Sequence, residues 1–205
     1  MTSLNEEAEG RIPVKGFIGV LLLVIGFTVF YFVWPKSIDL PKIGTVEEWT
    51  LTEVSGKDVS IQTKPKLITF FFTNCPDICP TTMWDLKDLQ QLMNEKGISE
   101  DEYLILAVTL DPEYDTEERI IQYKENFEID SPNWLFLRGS VVDTKKFTQY
   151  FNFFYEKDAG GFVTHSTSMY VVDANDQVRA YHDMAIGNKR VNIEEIADHL
   201  QKLLK

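Results

Sequence analysis

The chain holds two cysteines, Cys75 and Cys79, both inside the run Phe70–Thr82, FFFTNCPDICPTT. A structural disulfide framework needs several spaced pairs. Two neighbouring cysteines in a chain with no others read instead as a reactive or metal-binding pair, the plainer alternative being a small surface disulfide. The redox motif of thioredoxins is C-x-x-C, and this loop is one residue longer. Its sulfurs can still meet, but the longer loop can also chelate one ion through both. Two thiolates are soft ligands that select Cu(I) or zinc over hard cations, and an added imidazole allows Cu(II) as well.

Three histidines are available, His165, His182 and His199. His165 stands just before the apolar run MYVVD. That run should form a strand beside the one that ends at the cysteines, so His165 is the expected third ligand. His182 and His199 read as surface histidines. Asp77, between the cysteines, could tune thiolate basicity or simply close a turn. Asp111 ends a buried strand on the same sheet edge and could support the cysteine loop or cap the next element. Asp115 reads as a cap for the helix that follows.

These residues need a scaffold. KLITFFFT (66–73) and YLILAVTL (103–110) are continuous apolar runs of the kind buried in a parallel sheet. Residues 81–96 carry Leu86, Leu89, Leu92 and Met93 at helical spacing and end at Gly97. Helices are expected over 116–127, 141–154 and 193–204, with Thr116 as an N-cap and Asn192 and Glu195 at capping-box spacing. A short strand is expected at 134–137. Hairpins are expected at 49–62, around Ser55-Gly56-Lys57, and at 168–182, around Ala174-Asn175-Asp176. Alternating strands and helices closed by a hairpin imply an α/β fold with a mixed sheet covered on both faces. The cysteine loop then lies where a buried strand turns into a helix. There the free N–H groups and positive dipole end favour thiolate over thiol.

Residues 16–34, GFIGVLLLVIGFTVFYFVW, are nineteen uncharged positions. A helix of about 20 apolar residues crosses a bilayer, and Tyr31 and Trp34 suit its interface. The run is too long for a signal-peptide core and has no small-residue cleavage pattern. No cysteine follows it for lipidation. The expected organisation is a short cytoplasmic tail (1–15), a transmembrane anchor (16–34), a linker (35–47) and an α/β domain (48–205) that carries the cysteine pair on the extracytoplasmic side of the cell membrane. Lysines and arginines flank both ends of the span, so charge alone does not orient it. Net charge is −12. Residues 1–15 contribute −1 and 16–34 nothing, leaving −11 for the rest, which argues against nucleic acid as a partner.

Taken together, FTNCPDICP, VTLDPEYDT, the THS before MYVVD and the preceding apolar segment resemble the Sco/SenC family of copper-binding assembly factors for cytochrome c oxidase. The resemblance covers roughly residues 45–204. It implies a thioredoxin-like fold and binding of Cu(I) and Cu(II) by Cys75, Cys79 and His165. It also implies delivery of copper to the binuclear site of the oxidase's subunit II, or thiol reduction there. Asp111 matches the family's acidic position in the DP-x-x-D segment. The alternative is a thiol–disulfide oxidoreductase in which Cys75 attacks and Cys79 resolves. A thiol peroxidase does not require the pair, and a non-catalytic interaction module leaves it unexplained.

Overall fold

In a computed structural model, residues 14–33, 39–56 and 61–204 are described. They fall into two units, divided after Asp39. The first contains helix α1 (Val14–Val33), whose large apolar side chains from Phe17 to Phe32 are exposed. Among the described residues no helix is long and apolar enough to cross a membrane. The expected span 16–34 ends at Trp34, outside the described residues.

The second unit is built on a seven-stranded mixed sheet. Its strands are β1 (Gly44–Thr45), β2 (Thr52–Glu53), β3 (Lys66–Phe71), β4 (Leu104–Thr109), β5 (Trp134–Arg138), β8 (Ser168–Val172) and β9 (Gln177–Asp183), in the order β1-β9-β8-β3-β4-β5-β2. β3, β4 and β5 run parallel, and β8 pairs antiparallel with β3. Every residue of β3 and β4 is buried. That is why both strands are almost uniformly apolar: parallel strands between two helical layers have no face for water. The helices are α2 (Ile78–Glu95), α3 (Glu117–Asn126), α4 (Val141–Gln149) and α5 (Ile193–Leu203). Met83, Leu86, Leu89 and Met93 of α2 recur at three- and four-residue steps, and all are fully buried. Truncating one such leucine to alanine costs about 2–5 kcal/mol. Thr116 caps α3, accepting from the Arg119 N–H, and Asn192 caps α5, accepting from the Glu195 N–H.

Several local expectations give way. Of the hairpin expected over 49–62, residues 57–60 lie outside the described residues. Thr52–Glu53 pairs instead with β5, and Ile61–Thr63 is a turn of 3₁₀ helix. Gly44 and Thr45, within the stretch read as a linker, pair with β9 as an edge strand. α2 begins at Ile78 rather than Thr81, which puts Cys79 in its first turn. α4 stops at Gln149 rather than Phe154, and the chain reverses through Asn152 at φ 51°. A separate ribbon, β6 (Tyr155–Lys157) paired with β7 (Val163–His165), was not anticipated. His182 is buried, not on the surface.

Candidate metal centre

Three segments meet at the carboxyl end of β3. The first is the loop that leaves β3 and enters α2. Cys75 is placed by its N–H donating to the Phe72 carbonyl at 3.1 Å. Cys79, in the first turn of α2, is fully buried, and its N–H donates to Cys75 Sγ at 3.4 Å. Pro80 is the third helical residue, where a missing N–H removes no intrahelical bond. The second segment is the β6–β7 ribbon, which ends at His165. The third is the turn after β4, with Asp111 and Asp115.

The ligand atoms of Cys75, Cys79 and His165 all lie within 4.8 Å of one another, the one such group of three among the described residues. His165 Nδ1 is 2.6 Å from the Ser166 carbonyl oxygen. A carbonyl only accepts, so Nδ1 carries the proton and Nε2 is left for the sulfurs. The imidazole stands edge-on to Phe72 and nearly parallel to Phe153. These rings fix its plane and keep the cluster dry on that side. Phe70, Phe71 and Phe72 are therefore core residues as expected, and Phe72 is also a wall of the site.

The two sulfurs behave as one coupled pair. A hydrogen bond from Cys79 is the largest influence on Cys75 and, with help from His165 and the N–H groups of Asp77 and Cys79, lowers its pKa to about 4 against the opposing effect of burial. Cys79 moves the other way. The same hydrogen bond, its burial and the Cys75 charge push its thiol well above the usual range. The pair thus holds one proton and one negative charge at neutral pH. Burial opposes protonation of His165, but the Cys75 thiolate and the Ser166 carbonyl outweigh it and raise the imidazole's pKa. Two thiols and an imidazole are the borderline-soft donor set that suits a copper or zinc ion.

Of the carboxylates, Asp111 does cap the turn after β4, accepting from the Tyr114 N–H at 3.3 Å, whereas Asp115 takes a different part from that expected of it. Asp77 is the N-cap residue of α2, yet its exposed side chain makes no capping hydrogen bond, and its backbone N–H is what reaches Cys75. Asp111 is buried and pairs with Lys157 of β6 at 2.8 Å. This ion pair ties the histidine ribbon to the end of β4. Asp115 is fully buried and does not cap α3. It accepts from the Thr73 N–H at 3.1 Å and from the hydroxyls of Thr73 and Thr109. Thr73 lies two residues before Cys75, so Asp115 anchors the cysteine loop, and its burial raises its pKa. Lys157, Thr73 and Ser166 carry no sequence signal of this role, because their partners are distant in the chain or on the backbone. His182 and His199 lie on β9 and α5 and do not join the cluster.

The SCO1/SenC family profile matches residues 40–205, the whole of the second unit. The chain belongs to the SCO1/SenC family. A SCO2-like protein of Rickettsia prowazekii is 29% identical over 131 residues, which are 61% of this chain and 61% of that relative. The chain therefore spans less than two thirds of that curated relative's length. Among solved structures, BsSco, described as a member of the Sco family of cytochrome c oxidase assembly proteins with a disulfide switch, is 27% identical at a TM-score of 0.70. That match covers 82% of this chain and 97% of BsSco. Bradyrhizobium japonicum ScoI with copper bound is 26% identical at a TM-score of 0.59, covering 75% of this chain and 95% of ScoI. The mixed α/β, thioredoxin-like Sco fold expected from the sequence is the fold this chain adopts.

Proposed function

We propose that this protein carries copper as cargo on Cys75, Cys79 and His165 and supplies it to the copper site of subunit II during cytochrome c oxidase assembly. The carrying observation is the convergence of two sulfurs and one imidazole within 4.8 Å, drawn from segments 90 residues apart in the chain. Cu(I) would rest on the two thiolates and Cu(II) on the thiolates plus imidazole. Release would proceed by ligand exchange with partner cysteines at the exposed rim of the loop. Family membership and the copper-bound relatives support the same reading.

His165→Ala is the discriminating test. It should abolish the Cu(II)–thiolate absorption while disulfide exchange with a small thiol persists. Full-affinity Cu(II) binding after that change would show the ligand set to be wrong. In cells, loss of the protein should lower the assembled binuclear copper of the oxidase, with partial rescue by added copper.

A second reading, thiol–disulfide exchange that keeps partner cysteines reduced, is favoured by the asymmetry of the pair. Cys75 is the thiolate nearer the surface, and Cys79, buried behind it, is placed to resolve. Copper and a disulfide compete for the same sulfurs, so the two activities would alternate.

The proposed setting is a membrane face. Residues 16–34 would anchor the chain as a single pass, with the short tail 1–15 cytoplasmic, 35–47 linking, and the copper domain on the extracytoplasmic side. The nineteen uncharged residues of 16–34 support this. Extraction of the full chain by detergent but not by alkaline carbonate is the expected behaviour.

A further inference from the structure

The ribbon that carries His165 stands apart from the main sheet. β6 and β7 pair with each other in a sheet of their own, in the register Tyr155↔His165, Glu156↔Thr164 and Lys157↔Val163. Side chains alternate across a strand, and cross-strand partners share a face. One face therefore carries Tyr155, Lys157, Val163 and His165, and the other carries Glu156 and Thr164, which are exposed. Tyr155 and Val163 are buried in the core. A lone two-stranded hairpin is marginally stable in water, so the placement of His165 depends on what this face grips.

Its charged grip is Lys157. Nζ lies 2.8 Å from Asp111 Oδ1, and the Asp111 side chain is only 8% exposed. A second lysine, Lys145, donates to the Tyr155 carbonyl at 2.8 Å, at the opposite end of β6. Asp111 is fixed in turn. Its Oδ1 accepts from the Tyr114 N–H, and its own N–H donates to Thr109 Oγ1 at 3.0 Å. The Thr109 hydroxyl donates to Asp115, which accepts from the Thr73 N–H two residues before Cys75. One turn, residues 109–115, thus holds both arms of the site. Asp115 holds the cysteine loop, and Asp111 holds the histidine ribbon.

We propose that Lys157 and Asp111 are positioning residues that set how tightly the site holds Cu(II) relative to Cu(I), by clamping His165 over the sulfurs. On the copper reading above, on which this proposal rests, both oxidation states use the thiolates of Cys75 and Cys79, and Cu(II) alone also needs the imidazole. Removing the Lys157 charge leaves the contacts of Asp115 with Thr73 in place and frees only the ribbon. If His165 is in position for a fraction of the time, Cu(II) affinity falls by that fraction, and Cu(I) affinity does not. Weaker Cu(II) binding at unchanged Cu(I) affinity raises the reduction potential of the bound ion, by about 59 mV per tenfold.

The test uses the full chain in detergent with Lys157→Met, Asp111→Asn, both together, and Lys157→Arg. Lys157→Met should weaken Cu(II) binding about tenfold, the lower end of the range for supporting residues. It should also diminish the imidazole-nitrogen coupling in the electron paramagnetic resonance spectrum of the bound ion. Cu(I) affinity, read by competition with a chromophoric chelator, should stay within about twofold. Lys157→Arg keeps the charge and should restore Cu(II) binding. The double variant should be no weaker than either single one, because the two residues act as one pair, and it leaves no orphaned carboxylate to disturb folding. In the metal-free chain, amide hydrogen exchange should quicken over residues 155–165 in Lys157→Met and stay unchanged over β3 and α2. Equal weakening of both oxidation states, unchanged Cu(II) affinity, or unaltered exchange in the ribbon would overturn the proposal. A wild-type Cu(II) spectrum without imidazole coupling would overturn the copper reading itself and this proposal with it. Where wild type shows that coupling, unaltered Cu(II) binding in Lys157→Met counts against the pair alone.

Discussion

The two ends of β3 solve opposite electrostatic problems. At its amino end Lys66 is wholly buried, with Nζ 2.7 Å from Asp176 Oδ1 and 4.9 Å from the centre of the Trp49 ring. Burial lowers its pKa, and Asp176 opposes that shift. The ion pair is closed within the fold and ties the central strand to the β8–β9 turn. At the carboxyl end, six residues of strand away, the donors converge on an anion instead. Helix N–H groups, a thiol and an imidazole all face the Cys75 sulfur. Among the described residues, no lysine or arginine is among the groups that set that sulfur's charge. Lys157, the nearest in role, is spent on Asp111. A buried charge that is fully paired is architecture, whereas a concentration of soft donors around a shared charge is the capacity to take up a cation.

The largest effect that would break this contrast is loss of a sulfur. Cys75→Ser should reduce copper affinity by more than the 10–100-fold typical of losing a supporting residue, with thermal stability nearly unchanged. The reverse is expected at the other end. Lys66→Met should destabilise the fold by about 2–4 kcal/mol, below the full cost of orphaning a buried charge because Asp176 is partly solvated. Its copper stoichiometry should be unaltered, as read by urea unfolding and metal analysis. Asp115→Ala falls between the two. Stranding the Thr73 N–H should cost about 1–3 kcal/mol and, by loosening the cysteine loop, weaken copper binding about tenfold. The smallest effect is one of rate. A lowered Cys75 pKa means that its thiolate persists as pH falls, so alkylation by iodoacetamide should stay nearly constant from pH 8 down toward the midpoint near 4. Cys79, shifted upward, should react only in alkali. Peptide mass spectrometry separates the two, and equal alkylation of both at pH 6 would contradict the assigned asymmetry.

The sequence shows this site because its parts are periodic or chemically rare. β3 and β4 are unbroken apolar runs, α2 has a helical stripe, and two cysteines stand alone in 205 residues. His165 is legible from the strand that follows it, because β8 does pair with β3. Other parts leave no such trace. β6 and β7 are three residues each, too short for alternation to show. The hold of Asp115 on Thr73 spans 42 positions and involves hydroxyls and a backbone N–H, which have no pattern in the chain. The 49–62 hairpin looked right locally, but its first strand found a longer-range partner in β5. His182 was readable after all. It is in phase with Val178 and Ala180, the inward positions of β9, and alternation should have placed it inside.

The most direct test of the central assignment is X-ray absorption on the full chain, purified in detergent and loaded with one copper. Two sulfur scatterers should appear in the reduced state, and two sulfurs plus one imidazole nitrogen in the oxidised state, with the nitrogen contribution absent from His165→Ala. A shell of only nitrogen and oxygen, or a single sulfur in both states, would contradict the account.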